Sequence, residues 1–318
     1  MQFKSPDFWC KKSYLSLLLI PLSWIFSSIS LLRKIIVKPV KVDIPVICIG
    51  NINVGGTGKT PVAVELCKFL QARGKKVAFL SRGYGGNLYG PVLVNNKKHK
   101  ASDVGDEPLL LSQYAPTYIA KHRPDGAIYA RKNGADIIIM DDGLQNPHLK
   151  KDFSILVIDG QVGLGNGRIL PAGPLRESLS SALNKTDALV IIGHDKHNIS
   201  SFVKAPIIKS EIKPLEVKLS AKKYVAFAGI GRPKKFFDTL DSMNLKIVAT
   251  KEFADHKPYS ESDILKIKEL AKEKSAGIIT TQKDYLRIDV KLRDDIEFLP
   301  VQILWNEEEI SDIMHNYV

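Results

Sequence analysis

The sequence predicts an α/β protein whose larger part is an open, mostly parallel sheet. Three observations predict it. Val46-Ile47-Cys48-Ile49 and Ile137-Ile138-Ile139-Met140 are unbroken apolar runs, as expected of strands buried on both faces. Such runs alternate with helix-like stretches, the order that joins parallel strands by crossovers. The turn after the first run is rich in glycine and opens straight into a helical stretch, which places a ligand at the carboxyl ends of the strands.

With 318 residues, 44% of them apolar, the chain has ample material for a core and little that reads as disordered. Its net charge of +12 suits an anionic membrane surface or an anionic substrate. No helix-turn-helix, zinc-knuckle or aromatic-plus-basic stacking pattern accompanies that charge, so nucleic acid is not expected as a partner. Three cysteines without metal spacing fit a reducing compartment.

The first element, within residues 1–40, is a membrane-anchor helix. No charge occurs from Tyr14 to Leu32; Lys11 and Lys12 precede the run, and Arg33, Lys34, Lys38 and Lys41 follow it. The run lies at the short end of the roughly 17–25 residues that span a bilayer core. Pro21 and several serines weaken a deep span, so a helix lying in the interface and a helix crossing it both stand at this point.

Residues 41–200 form the larger domain. Strand 46–49 runs into Asn53-Val54-Gly55-Gly56-Thr57-Gly58-Lys59-Thr60, and a helix is expected over 61–73 with Pro61 at its first position. Backbone N–H groups of such a turn cradle phosphate oxygens; Lys59 would reach the β- and γ-phosphates and the Thr60 hydroxyl a Mg²⁺ ion. Asn53 stands where a P-loop usually has its first glycine. Strand 76–81 leads into the basic loop Arg82-Gly83-Tyr84-Gly85-Gly86, and a helix begins near Asp106-Glu107-Pro108. Strand 137–140 ends in Asp141-Asp142-Gly143-Leu144-Gln145, the Walker B form: a hard cation takes oxygen ligands, and a strand end sets them beside the P-loop threonine. Which of Asp141 and Asp142 touches the ion stays open, as does whether Gln145 orients a ligand or a water. Strands 153–158 and 188–192 complete the sheet. Residues 197–222, rich in Lys and Pro, read as a linker.

Residues 201–318 form a smaller α/β domain, with strands 224–228, 246–249 and 277–280 and helices 233–243 and 260–274. Four further segments carry chemistry. Asp106 and Glu107 read from periodicity alone as a helix cap and a first-turn carboxylate; phosphoryl transfer to an alcohol needs a base, and Asp106 suits it. His256, beside Asp255, either bonds locally or pairs across the cleft to tune that base. Arg176, in Leu170-Pro171-Ala172-Gly173-Pro174-Leu175-Arg176-Glu177, binds a phosphate or pairs with a carboxylate. Thr280-Thr281-Gln282-Lys283-Asp284 ends a strand within reach of a nucleotide.

Together these segments resemble the tetraacyldisaccharide 4′-kinase family of lipid A biosynthesis, in which an Asn at the position of Asn53 is usual. Leu144, and Asn146-Pro147-His148, depart from the family pattern without touching the proposed catalytic pair. The resemblance implies a P-loop-type sheet domain, a smaller C-terminal α/β domain and a membrane-associated N-terminal helix. It implies an ATP- and Mg²⁺-dependent lipid kinase on the cytoplasmic side of the inner membrane. The substrate would be an anionic acylated glucosamine disaccharide 1-phosphate, phosphorylated on its 4′-hydroxyl. Asp106 and His256 would form the catalytic pair, and residues 53–60 would hold the nucleotide. Thr60, Asp141, Asp142 and Gln145 would serve the metal, with Arg82 and Arg176 as candidate substrate contacts. No obligate protein partner is implied. The rival reading is a membrane-tethered P-loop switch that hydrolyses nucleotide to control a partner.

Overall fold

The structure, a computed structural model, describes residues 6–11 and 13–317. Lys12, one of the basic residues flanking the apolar run, lies outside them. The strands are β1 (Val46–Gly50), β2 (Val77–Ser81), β3 (Val92–Leu93), β4 (Thr117–Ile119), β5 (Ile137–Asp141), β6 (Phe153–Asp159), β7 (Ala188–Ile192), β8 (Ile207–Pro214), β9 (Tyr224–Ala228), β10 (Ile247–Glu252), β11 (Gly277–Thr281), β12 (Ile296–Leu299) and β13 (Val301–Trp305).

Nine strands form one sheet in the order β13-β8-β7-β6-β1-β5-β2-β4-β3. All neighbours are parallel except β3 with β4 and β13 with β8. The centre of this sheet explains its unbroken apolar runs. Ile47 and Ile49 face one buried apolar layer, and Val46 and Cys48 face the other. Both sides of β1 therefore select apolar residues. Ile49 stands in register with Asp141 on one side and Ile155 on the other, so the ends of β1 and β5 meet at one edge while β6 runs on beside them to Asp159. The four-stranded sheet, β10-β9-β11-β12, is entirely parallel and has its own apolar layers on both faces.

Several expectations shift. The stretch read as a linker contains β8, whose burial alternates: Ile208 and Ser210 point in while Lys209, Glu211 and Lys213 point out. The strand therefore reads as polar along much of its length. Its partner β13 comes from the far end of the chain, pairing Ile303 with Ile212. The chain thus leaves the large sheet after β8, builds the small sheet, and returns. The helix after the glycine-rich turn starts at Lys59 and runs to Gln71. Pro61 sits inside its first turn, where a missing N–H costs little because those groups have no partner within the helix.

The N-terminal run is two helices, Tyr14–Leu18 and Ile20–Ile36. Pro21 lies in the first turn of the second. Among the described residues no helix is long and apolar enough to cross a membrane. The two helices pack with their polar sides inward. The hydroxyl of Ser23 donates to the Ile169 carbonyl at 2.8 Å, Arg168 donates to the Ser16 hydroxyl at 2.6 Å, and Lys34 meets Glu177 at 2.9 Å. Their apolar sides face outward: Trp24 is 69% exposed, and Leu18, Ile25, Ile29, Leu32 and Ile36 are exposed with it.

Candidate active site

Gly58 caps the helix Lys59–Gln71 in a left-handed conformation, φ +90°, where a β-carbon would meet the Ile192 side chain at 2.5 Å. The turn before it is braced from within. The Asn51 carboxamide donates to the Asn53 carbonyl at 2.8 Å and to the Thr57 hydroxyl at 3.0 Å. Asn53 is buried, and its side chain donates to the Gly163 carbonyl at 2.9 Å. An asparagine thus does what glycine could not: it ties the phosphate loop to the glycine-rich passage that follows β6. Val54 is exposed; Gly55, at φ +111°, and Gly56 have open space around them.

The two carboxylates at the end of β5 differ sharply. Asp142, at φ +52°, accepts from Arg176 at 2.8 and 3.0 Å and lies 3.6 Å from Lys59. Burial would raise its pKa, but Lys59 and Arg176 outweigh burial and hold it below the usual carboxylate range. Asp141 is buried with its Oδ1 unpartnered. Burial, and then the charge of Glu107, push it up to about 7. An orphaned buried carboxylate oxygen is what a missing cation would leave behind. Among the described residues no group of three or more His, Cys, Asp or Glu side chains is arranged to hold a metal ion by itself. A Mg²⁺ ion held by one carboxylate, a hydroxyl, water and phosphate needs none. The residues present, Asp141 and the helix-start Thr60, fit such an ion.

Gln145 and Arg176 are both engaged with neighbouring side chains. Gln145 donates to the Asn51 carbonyl at 2.9 Å and to Glu177 at 3.1 Å, and its oxygen faces Arg176 at 3.5 Å. Its carboxamide nitrogen braces the loop. Arg176 pairs with a carboxylate, Asp142, the second of the two uses its context offers. Arg82 is exposed at the end of β2. Beside it sits Arg123, buried, donating to the Ala120 carbonyl at 2.6 Å with its Nε unpartnered. Burial, followed by the charge of Arg82, lowers Arg123 to about 10. Arg123 was not legible in sequence because it opens a helix, Arg123–Lys132, whose composition is polar.

Asp106 and His256 come together from the two sheets. Asp106 is the first residue of the helix Asp106–Leu111, 4% exposed, preceded by Gly105 at φ +91°. A β-carbon on Gly105 would lie 2.4 Å from the Tyr84 carbonyl oxygen, so no side chain fits there. His256, in the loop after β10 at φ +56°, brings Nδ1 to 3.3 Å and 3.2 Å from the two Asp106 oxygens. The Tyr84 ring meets the imidazole edge-on at 5.7 Å. Arg287, absent from the sequence reading, and Lys283, from the segment expected to reach a nucleotide, complete the cluster. Arg287 Nε lies 3.2 Å and Lys283 Nζ 3.6 Å from Asp106, and Lys283 also pairs with Glu107 at 3.0 Å. Their spacing, i and i+4 on the helix that follows β11, was the available signal. Burial acts to raise the Asp106 pKa, but Lys283, His256 and Arg287 together hold it well below the ordinary range. Asp106 Oδ2 nevertheless accepts no aligned hydrogen bond.

The segment Thr280–Asp284 therefore serves the Asp106 side. Asp284 is fully buried and accepts from the Gly229 amide at 3.0 Å, Tyr259 at 2.7 Å and Thr281 at 2.6 Å, fixing the turn from which Lys283 and Arg287 project. A second pair of contacts joins the sheets at the phosphate loop. Arg232 pairs with the buried Asp159 and reaches the Gly56 carbonyl at 3.4 Å, while Lys235 lies 3.2 Å from Asp159.

Comparison with known proteins agrees with this architecture. Residues 15–318 match the family described as tetraacyldisaccharide-1-P 4′-kinase. The tetraacyldisaccharide 4′-kinase of Rhodospirillum rubrum is 41% identical over 314 residues, covering 96% of this chain and 94% of its own. That of Parvibaculum lavamentivorans is 45% identical over 296 residues, covering 90% and 86%. Among solved structures, LpxK from Aquifex aeolicus in complex with ATP superposes with a TM-score of 0.80 at 27% identity, over 95% of this chain and 99% of that one. The chain belongs to the tetraacyldisaccharide-1-P 4′-kinase family.

Proposed function

We propose that this chain transfers the γ-phosphoryl group of ATP to the 4′-hydroxyl of a tetraacyldisaccharide 1-phosphate, a step of lipid A biosynthesis. Family membership carries the kinase activity and the glycolipid class of the acceptor. One observation supports the site: beside the phosphate loop stands a carboxylate with an unpartnered oxygen, Asp141, and near it the Asp106 carboxylate, whose Oδ2 is approached by His256, Arg287 and Lys283 without accepting an aligned hydrogen bond. Glu107, adjacent to Asp106, is near enough to raise Asp141, which supports reading the two carboxylates as parts of one reaction centre.

In this reading Lys59 and the amides of residues 53–60 hold the triphosphate. Asp141 and Thr60 hold Mg²⁺, which when bound offsets charge on the phosphoryl oxygens. The acceptor hydroxyl donates to Asp106, which takes its proton as the phosphoryl group moves in line. A depressed pKa makes Asp106 a weak base, but the loose transition state releases that proton late, so orientation outweighs basicity. His256 steadies the carboxylate and shares the proton. Lys283 and Arg287 keep Asp106 ionised. Arg82 and Arg123 line the same strand ends and suit an anionic acceptor.

The N-terminal helix lies in the bilayer interface, polar face to the protein and apolar face to the acyl chains, with the sheets on the cytoplasmic side. A crossing helix would have to surrender the Ser16, Ser23 and Lys34 contacts. The net positive charge favours anionic lipid. Replacing Ile25→Glu and Ile29→Glu together is expected to reduce co-sedimentation with anionic vesicles at least about tenfold, since each exposed aliphatic contributes on the order of 1 kcal/mol on burial. Unchanged circular dichroism would show that the helix still forms, and undiminished sedimentation would refute the interfacial placement.

The activity is tested with labelled ATP in detergent micelles, with and without the disaccharide lipid. A kinase leaves ATP intact without acceptor and gives one phosphorylated lipid per ATP with it. Equal ATP consumption in both arms would favour the nucleotide-hydrolysing switch.

A further inference from the structure

We infer that Glu177 couples the N-terminal helix to the phosphate loop, so that the seating of Lys34 sets how well the loop holds nucleotide. The inference rests on the reading of that loop as the ATP site. Glu177 is 6% exposed and makes five close contacts through two oxygens. Lys34 approaches at 2.9 Å, Lys185 at 2.7 Å to each oxygen, the Ser181 hydroxyl at 2.8 Å and Gln145 Nε2 at 3.1 Å. Lys185 and Ser181 follow Glu177 closely in the chain, while Lys34 arrives from a separate element whose outer face is apolar and bare.

From Glu177 two arms run to the phosphate loop. The first passes through Gln145, which donates to the Asn51 carbonyl at 2.9 Å; Asn51 in turn holds Asn53 and Thr57. The second passes through the adjacent Arg176, whose amide donates to the Ile52 carbonyl at 2.6 Å. Its guanidinium fixes Asp142, which faces Lys59 at 3.6 Å. Every link is a charged or amide group held by at least two others, and much of the chain of contacts is shielded from water, so movement at one end is poorly absorbed on the way. Losing Lys34 removes one of the cations that compensate a buried carboxylate. Glu177 then redistributes its remaining bonds, and the one to Gln145 is the bond shared with the loop.

Glu177 and Lys34 are positioning residues in this scheme; neither contacts the loop. Lys34→Met is expected to weaken ATP binding about fivefold, the lower end of common coupling strengths. Lys34→Arg is expected to restore it. In a Glu177→Gln background, itself weakened, Lys34→Met should add nothing further, because the link it breaks is already gone. Hydrogen exchange on the nucleotide-free protein gives a second readout: Lys34→Met should speed exchange at amides 51–57 and leave the β2 amides unchanged, whereas a general loss of stability would move both. Wild-type binding of ATP together with a Lys34→Met affinity within twofold of it, or with additive effects of the two substitutions, overturns the coupling alone. Failure of the wild-type chain to bind ATP overturns the kinase reading and the coupling with it.

Discussion

Asp106→Asn is expected to lower the turnover number of lipid phosphorylation about 10³-fold, within the usual range for losing a proton acceptor, with ATP affinity changed no more than a few-fold. Asparagine keeps the shape and one acceptor oxygen but cannot take the proton. The site around it is cationic, with Lys283, Arg287 and His256 all within 3.6 Å. The substitution therefore also leaves charges without their partner, and some stability is lost. Asp106 sits below its unfolded pKa, so it stabilises the fold above that value, and the stability is lost as pH falls toward the lower, folded one. At about pH 2.5 the wild type and Asp106→Asn should thus differ less in thermal midpoint than at pH 7. Steady-state kinetics at saturating ATP, alongside direct ATP binding, separate chemistry from affinity. Equal loss of both would remove Asp106 from the role of base.

Asp141→Asn is expected to have the opposite effect on stability and a comparable one on activity. In the metal-free protein burial and Glu107 push Asp141 up to about 7. A carboxylate raised above its unfolded value makes the fold less stable as pH climbs from about 4 through 7, because the unfolded chain ionises more readily. Asparagine does not ionise. The variant should therefore be more stable than wild type at pH 7.5 without Mg²⁺, by on the order of 2 kcal/mol, with the difference closing toward pH 4. Added Mg²⁺ with ATP should stabilise the wild type and not the variant, and turnover should fall by about 10²-fold or more as the cation loses its carboxylate. Thermal unfolding over a pH series, with and without Mg²⁺–ATP, checks both signs. A variant less stable than wild type in the metal-free series would mean that Asp141 is paired in a way its neighbours do not reveal.

What could be read from the sequence follows how locally each feature is encoded. Strands β1 and β5 are legible because burial on both faces leaves no polar position, and the phosphate loop because its glycines and Lys59 are contiguous. Asp106 and His256 are legible only through the family resemblance; periodicity alone makes Asp106 a helix cap. Strand β8 is hidden because Lys209, Glu211 and Lys213 give it the composition of a linker, and β13 because its partner lies far earlier in the chain. Arg287 escapes notice, and Lys283 reads toward the nucleotide, since a cation at i and another at i+4 is common on any exposed helix. Asp142 and Gln145 belong to the motif, yet the motif does not encode their partners. The motif specifies residues at a strand end, whereas their orientation depends on Arg176 and Glu177, more than thirty residues away.

The pairing of β13 with β8 also imposes an order on biosynthesis. A chain emerging from the ribosome N-terminus first holds β1 through β8 well before β13 exists, so the large sheet carries an open edge while the small sheet forms. An unpaired edge invites pairing with another nascent chain. The outward Lys209, Glu211 and Lys213 that disguise β8 are well suited to that interval, since charges along a bare edge discourage a second strand from adding to it. Once β13 arrives, Ile303 settles against Ile212, Tyr317 packs beside Phe153 and β8 becomes an inner strand. The sheet that bears the phosphate loop is therefore completed only after the small sheet has been made, and until then the charges on β8 guard its bare margin.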